Sequence, residues 1–288
     1  MISARPRRSV LYLPASNARA IEKARSLACD VVILDLEDAV APDAKAEARA
    51  GAVAAVKAGG FGAREVVIRA NGLDTPWGAD DLAAAAGAGP DAILIPKVSA
   101  PADIAAARAL LPATLPLWAM IETCAAMFRL DALGAASAEA GVTAWVIGSN
   151  DLAKEMRCAL DVERAPLMTA LSLSLMAARA HGLAILDGVY NDIADLDGLG
   201  RQCAQGLALG FDGKTLIHPS QVEAANAAFT PEAAAVAWAR TVVEAFAAPE
   251  AAARGVLKVE GRMVERLHLE QAQRLIAVAD AIAAREPA

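Results

Sequence analysis

The chain has 288 residues, is 56% hydrophobic and carries a formal net charge of −7. That size suits one α/β domain with a large buried core, and the acidic balance excludes a typical nucleic-acid partner, since basic residues gather only at Arg5, Arg7 and Arg8. No apolar run reaches the ~18 residues needed to cross a bilayer. The Arg-rich start is followed only by the stretch Val10–Pro14, too short for a signal-peptide core, so a cytoplasmic protein with no membrane partner is expected.

In chain order, strands are expected at Ser9–Leu13, Val31–Leu36, Val66–Arg69, Ala92–Pro96, Leu117–Ile121, Ala144–Gly148, Ala184–Gly188 and Thr215–His218. Each is a short run rich in apolar and β-branched residues. Ala-rich helix formers separate them, among them Arg19–Leu27, Asp43–Ala58 and Ala102–Leu111. The seven steps from Pro14 to His218 average about 29 residues, the length of a βαβ crossover. Eight such units point to a (β/α)8 TIM barrel over residues 1–229. An open doubly wound sheet is the rival, but its Gly-rich first turn is missing: Pro14-Ala15-Ser16-Asn17 holds no glycine. Residues 230–288 form a C-terminal helical extension. It should contain a helix to about Ala247, a strand-like piece at Val256–Val264 and a final helix to about Arg285, packing on the barrel or on a neighbouring subunit.

Four cysteines (Cys29, Cys124, Cys158, Cys203) are widely spaced without a CxxC, which argues against a disulfide framework or a zinc ribbon. The three histidines, His181, His218 and His268, have no partner at metal-ligand spacing. Any bound metal should therefore take oxygen ligands, favouring Mg²⁺ or Mn²⁺ over Zn²⁺.

Barrel chemistry gathers at the C-terminal ends of the strands. Seven of the eight expected ends carry an ionisable group: Asp35, Glu37 and Asp38; Arg69; Lys97; Glu122; Asp151; Asp187; His218. Singly, each has a bland reading. Asp151 and Asp187 suit helix N-caps, Lys97 and Arg69 suit charge neutralisation, and His218 suits a hydrogen-bonded core histidine. Together they are costly to bury unless paired or bound to something. Glu122 and Asp151, 29 residues apart, fall on neighbouring strands and are placed to share a hard cation.

Several motifs carry a family resemblance. Arg8-Ser9-Val10-Leu11-Tyr12-Leu13-Pro14, Leu34-Asp35-Leu36-Glu37-Asp38-Ala39-Val40, Arg69-Ala70-Asn71-Gly72, Ile121-Glu122-Thr123, Gly148-Ser149-Asn150-Asp151-Leu152 and Lys214-Thr215-Leu216-Ile217-His218-Pro219-Ser220-Gln221 occur in order along nearly the whole chain. They resemble the citrate lyase beta-subunit-like branch of the HpcH/HpaI aldolase superfamily. The resemblance implies a Mg²⁺-dependent barrel, trimeric or larger, that cleaves or forms a malyl-, citramalyl- or citryl-type thioester through an enolate. It implies Glu122 and Asp151 as metal ligands and Arg69 as the substrate contact. Glu37 and Asp38 would organise Arg69 and the water around the metal, while Asn150, Asp151, Ile217 and His218 would touch the hydroxy-diacid substrate or its CoA. Relatives also place a tail aspartate in a neighbouring subunit's site for acid–base work. The stretch Val259–His268 here holds no aspartate, leaving Glu260 or Glu265 as the replacement. Ser149-Asn150 before Asp151 is a second, tolerable departure. Three alternatives stay open: a class II aldolase on free hydroxy-keto acids, an acyl-CoA thioesterase, and a lyase subunit that needs an acyl-carrier partner.

Overall fold

The computed structural model describes residues 5–248 and 254–285. Eight short strands, β1 (Ser9–Pro14), β2 (Val31–Asp35), β3 (Glu65–Arg69), β4 (Ala92–Ile95), β5 (Leu117–Ile121), β6 (Val142–Ile147), β7 (Ala184–Asp187) and β8 (Gly213–Leu216), pair in parallel in sequence order. β1 also pairs with β8, through Ser9↔Lys214 to Leu11↔Leu216, and closes the barrel. A closed parallel barrel is covered on both faces, which is why these strands read as nearly continuous apolar runs. Val10, Ile33, Val67, Leu94, Trp118 and Val146 belong to the cluster that fills the interior. Leu11, Leu34, Ile68, Ile93 and Ile185 belong to a larger cluster shared with the helices.

The helices in order are α1 (Ala18–Ala24), α2 (Lys45–Ala58), α3 (Gly78–Ala88), α4 (Pro101–Ala109), α5 (Cys124–Met127), α6 (Leu130–Ala140), α7 (Ser149–Met156), α8 (Met168–Ala180), α9 (Leu196–Leu209) and α10 (Val222–Phe229). The last strand lies two residues earlier than expected, at Gly213–Leu216 where Thr215–His218 was expected. It stops at Leu216 because the Gln221 side chain takes the Ile217 and His218 amides, at 3.0 and 3.3 Å, and so bends the chain out of the sheet ahead of Pro219.

The chain divides into two compact units, the barrel Arg7–Phe229 and a second unit from Thr230 onward. In the second unit, α11 (Ala233–Ala247) and α12 (Arg266–Ala283) pack with an antiparallel hairpin, β9 (Val256–Val259) and β10 (Arg262–Glu265). One strand-like piece was expected here, but the chain reverses at Glu260-Gly261. Both residues have positive φ, +46° and +83°, the geometry of a two-residue hairpin turn. All four cysteines are free thiols. Among the described residues, no helix is long and apolar enough to cross a membrane.

Candidate active site

The site is built outward from Arg69, the last residue of β3. Its register partner on β2 is Asp35, the last residue of that strand. The two form a buried bidentate pair, with Nε donating to Oδ1 and Nη2 to Oδ2, both at 2.6 Å. Arg69 Nη1 lies 2.8 Å from Glu37 Oε2 and 3.6 Å from Asp38 Oδ2. Glu37 Oε2 receives no aligned N–H, so that contact is Coulombic. Burial works against the Arg69 charge, but Asp35 outweighs it and holds the guanidinium firmly protonated. The Tyr12 ring of β1 lies over the guanidinium, 4.8 Å from Cζ to the ring centroid. Asp35 is thus the main partner of Arg69, more than the expected Glu37 and Asp38.

Lys97 follows β4 and ties three carboxylates together. Its backbone N–H donates to Glu122 Oε1 at 2.7 Å. Its ammonium donates to Glu37 Oε1 at 2.9 Å and to Asp151 Oδ2 at 3.0 Å. Lys97 adopts a left-handed φ of +53°, unusual for a residue with a Cβ and accepted here in exchange for the Glu122 contact. Burial disfavours its charge, but Glu37 and Asp151 raise the pKa above the ordinary lysine range.

Glu122 follows β5 and is buried. Burial and then the neighbouring Glu37 push its pKa up to about 8, against the lowering contacts from Lys97. Asp151 sits in the first turn of α7, whose cap is Gly148, so Asp151 is not itself the N-cap. A Cβ at Gly148 would strike the Glu122 carboxylate and lie 2.5 Å from Glu122 Cβ, so only glycine lets this turn pass beside Glu122. Lys97 occupies one oxygen of Glu122 and one of Asp151. Among the described residues nothing donates to Glu122 Oε2 or Asp151 Oδ1. Tyr12, Asp35, Asp38, Arg69, Glu122, Asn150, Asp151 and Ile217 line one cavity of about 280 Å³ at the barrel mouth.

The other sequence-derived residues fall differently. Asn150 exchanges two side-chain hydrogen bonds with Asn191, at 3.1 and 2.8 Å, at the cavity rim. Ile217 lines the wall. His218 lies outside the lining and turns its Nδ1 to Ser220 Oγ at 2.8 Å. Glu260 and Glu265 are exposed and belong to the second unit, Glu260 in the hairpin turn and Glu265 at the start of α12. Asp187, read as a possible cap, is instead fully buried between Arg164 (2.5 Å) and Lys214 (2.9 Å). Lys97 neutralises the carboxylates of the mouth, as one reading of its position expected, whereas Asp35 was expected only as a strand-end acid without a partner and Tyr12 only as part of a motif. Register could have found Asp35, which ends the strand beside the one ending in Arg69.

The donor set at the mouth is all oxygen. No cluster of three His, Cys, Asp or Glu metal donors exists among the described residues. Two adjacent carboxylates with unbonded oxygens fit a hard cation that keeps most of its water, and do not fit zinc.

Comparison with known proteins identifies the family. Residues 8–219 match the HpcH/HpaI aldolase/citrate lyase family. A (3S)-malyl-CoA thioesterase of Cereibacter sphaeroides is 48% identical over 98% of this chain and 97% of its own length. An L-malyl-CoA/beta-methylmalyl-CoA lyase of the same species is 35% identical, again over 98% and 97%. The crystal structure of CitE from Mycobacterium tuberculosis with magnesium, acetoacetate and coenzyme A superposes with a TM-score of 0.77 at 30% identity, covering 97% of this chain and all of that one. A citrate lyase beta subunit from M. tuberculosis with oxaloacetate and magnesium gives 0.68 at 30% identity, over 80% and 100%. The family match and these relatives place the chain in the HpcH/HpaI aldolase/citrate lyase family, a family of carbon–carbon lyases.

Proposed function

We propose that this chain is a Mg²⁺-dependent enzyme acting on the CoA thioester of a hydroxy-diacid of the malyl-CoA type. In this reading it cleaves or forms the bond between the hydroxyl-bearing carbon and the carbon next to the thioester. The observation that carries the reading is the pairing of Glu122 and Asp151, each with one unbonded oxygen, beside a buried Arg69 in a closed barrel mouth. Glu122 and Asp151 would hold the cation. When bound, Mg²⁺ supplies Lewis acidity to the oxygens of the hydroxy-acid half. Mn²⁺ is the alternative with the same donor chemistry.

The chain's own residues do the rest. Asp35 and Glu37 fix Arg69 so that it faces the cavity without reorganisation, while Asp38, 3.6 Å from Nη1, adds to the same field. As the C–C bond breaks, its electrons move toward the thioester carbonyl, and Arg69 meets the negative oxygen that forms. Asn150 and Ile217 hold the acyl portion, with His218 one residue beyond the wall. Glu260 or Glu265, supplied by a neighbouring copy in a trimer or larger assembly, would deliver the proton to the enolate carbon. The test is direct. Glu122→Gln and Asp151→Asn should each lower turnover of malyl-CoA by at least 10²-fold and weaken Mg²⁺ binding measured calorimetrically. Normal turnover by either variant in the presence of a chelator would sink the reading.

A second reading keeps the substrate and changes the bond: water attacks the thioester carbonyl, the C–S bond breaks, and malate and the CoA thiol leave. Relatives 48% identical and named as thioesterases favour it, as does the tail without an aspartate. A substrate panel separates the two. Cleavage yields acetyl-CoA and glyoxylate, whereas hydrolysis yields free CoA and malate. Matched free hydroxy acids in the same panel test the aldolase alternative, and carrier-bound thioesters test dependence on an acyl carrier.

A further inference from the structure

Two polar donors in the barrel mouth end on a poor acceptor. Among the described residues the Tyr12 hydroxyl has one hydrogen-bond partner, the Met120 sulfur, at 3.8 Å. Arg69 Nη1 donates to the same sulfur at 3.5 Å. A thioether is among the weakest acceptors in a protein, so the Tyr12 hydroxyl is under-satisfied, and so is the N–H that Arg69 Nη1 aims at the sulfur, although the same nitrogen keeps its 2.8 Å Coulombic contact with Glu37 Oε2. Neither is a stray surface group. Arg69 is 6% exposed, its other nitrogens are fixed on Asp35, and its face is covered by the Tyr12 ring. Met120 is buried and lies two residues before Glu122, so the point of convergence is on the strand that carries a metal carboxylate. Tyr12, Arg69, Met120 and Glu122 all line the same cavity.

We infer that the Tyr12 hydroxyl and Arg69 Nη1 form an oxyanion-binding pair, with the thioester oxygen of the substrate resting in the cavity beside the Met120 sulfur on which the two donors converge. The inference rests on the reading that a CoA thioester binds in this mouth, and it adds Tyr12 to the residues that touch it. An oxygen that becomes negative there gains a charge-assisted bond from the guanidinium and a second from the phenol. In C–C cleavage a base takes the hydroxyl proton, a carbonyl forms on the hydroxy-acid half, and the bond electrons pass to the thioester oxygen of the enolate. In hydrolysis the same oxygen carries the charge of the tetrahedral adduct. Both routes place an oxyanion at the same atom, so the pair serves either. Burial raises the Tyr12 pKa far enough that the phenol stays a donor throughout the neutral range.

Tyr12→Phe keeps the ring over Arg69 and removes a single oxygen. The variant should melt within a few degrees of wild type and bind Mg²⁺ equally well. Its kcat on malyl-CoA should fall about 10²-fold with KM within threefold, the size expected for one lost oxyanion donor. Solvent exchange of the acetyl-CoA methyl protons in D₂O tells the source of the oxyanion. An exchange rate that falls with kcat assigns it to the enolate, and loss of free-CoA formation alone assigns it to the tetrahedral adduct. A turnover-free measurement stands beside these. Carboxymethyl-dethia-CoA, whose carboxylate replaces the thioester, should bind Tyr12→Phe at least tenfold more weakly, with acetyl-CoA affinity unchanged within twofold. Equal affinity for the carboxylate analogue, or a kcat within threefold of wild type, overturns the pair. A wild-type chain that shows the analogue difference but does not turn over malyl-CoA overturns the proposed reaction and supports the pair.

Discussion

Lys97 holds the most crowded position at the residue scale. Its backbone amide and its ammonium together contact Glu122, Glu37 and Asp151. Three carboxylates this close repel one another, and a cation between them relieves that repulsion. Mg²⁺ at Glu122 and Asp151 would act on the same charges, so the two cations partly substitute for each other. Lys97→Met keeps the length of the stem and the left-handed backbone but removes the charge. Lys97 is almost half exposed, and solvent screening keeps the effect modest. The variant should melt a few °C below wild type without metal, and Mg²⁺ should close most of that gap. By linkage, Mg²⁺ binds the variant more tightly than wild type. Melting curves with and without Mg²⁺ decide it: a gap of the same size in both conditions would show that Lys97 does not share the metal's role.

At the element scale, the strands were legible because a barrel strand buried on both sides leaves a short apolar run, and the runs recur about every 29 residues. Charges at their ends were legible for the same reason, standing out against an apolar background. Contacts that depend on how ends face one another were not. Asp35 looked like one acid in an acidic string, and only its pairing with Arg69 across β2 and β3 sets it apart. Asp151 looked like a cap because the apolar pattern starts the helix at Leu152, three residues after α7 begins at Ser149. Asp187 is the clearest case, since a capping carboxylate and a buried ion-pair carboxylate look alike in sequence. Burial opposes the Asp187 charge, but Lys214 and Arg164 outweigh it and hold its pKa below the usual aspartate range. Lys214 also donates to the Gly188 carbonyl at 2.6 Å and to Gln202 at 3.1 Å, so the cluster fixes the start of the loop after β7. Asp187→Asn would leave two buried cations without a counter-charge, at a cost of about 3–5 kcal/mol. Because the folded pKa is depressed, the charge stabilises fully above the unfolded value near 3.8, and that stability is lost as pH falls through the lower folded value. The deficit of the variant in urea unfolding should therefore be flat from pH 8 to pH 5 and narrow only below about pH 4. A deficit already gone at pH 5 would mean that the pair is not what stabilises this loop.

At the scale of the whole molecule, the barrel carries the carboxylates and the guanidinium, while Glu260 and Glu265 belong to the second unit. An acid–base part for the tail therefore raises the question of which barrel it serves, its own or a neighbour's. If tails are exchanged between copies, light scattering should give a mass of three or more times the 29.6 kDa chain. Activity offers a sharper reading than mass. A Glu122→Gln chain has a defective barrel and a sound tail, and a Glu260→Gln/Glu265→Gln chain has the reverse. Each alone should be nearly inactive. When the two are unfolded together and refolded as mixed oligomers, a sound barrel meets a sound tail in about one quarter of the sites if pairing is random. Recovery to about that level shows that the tail acts in a neighbour's site. If mixing restores nothing while both parents are inactive, each tail serves its own barrel. A double glutamine variant with full activity removes the tail from the chemistry altogether, and the proton must then come from the mouth itself.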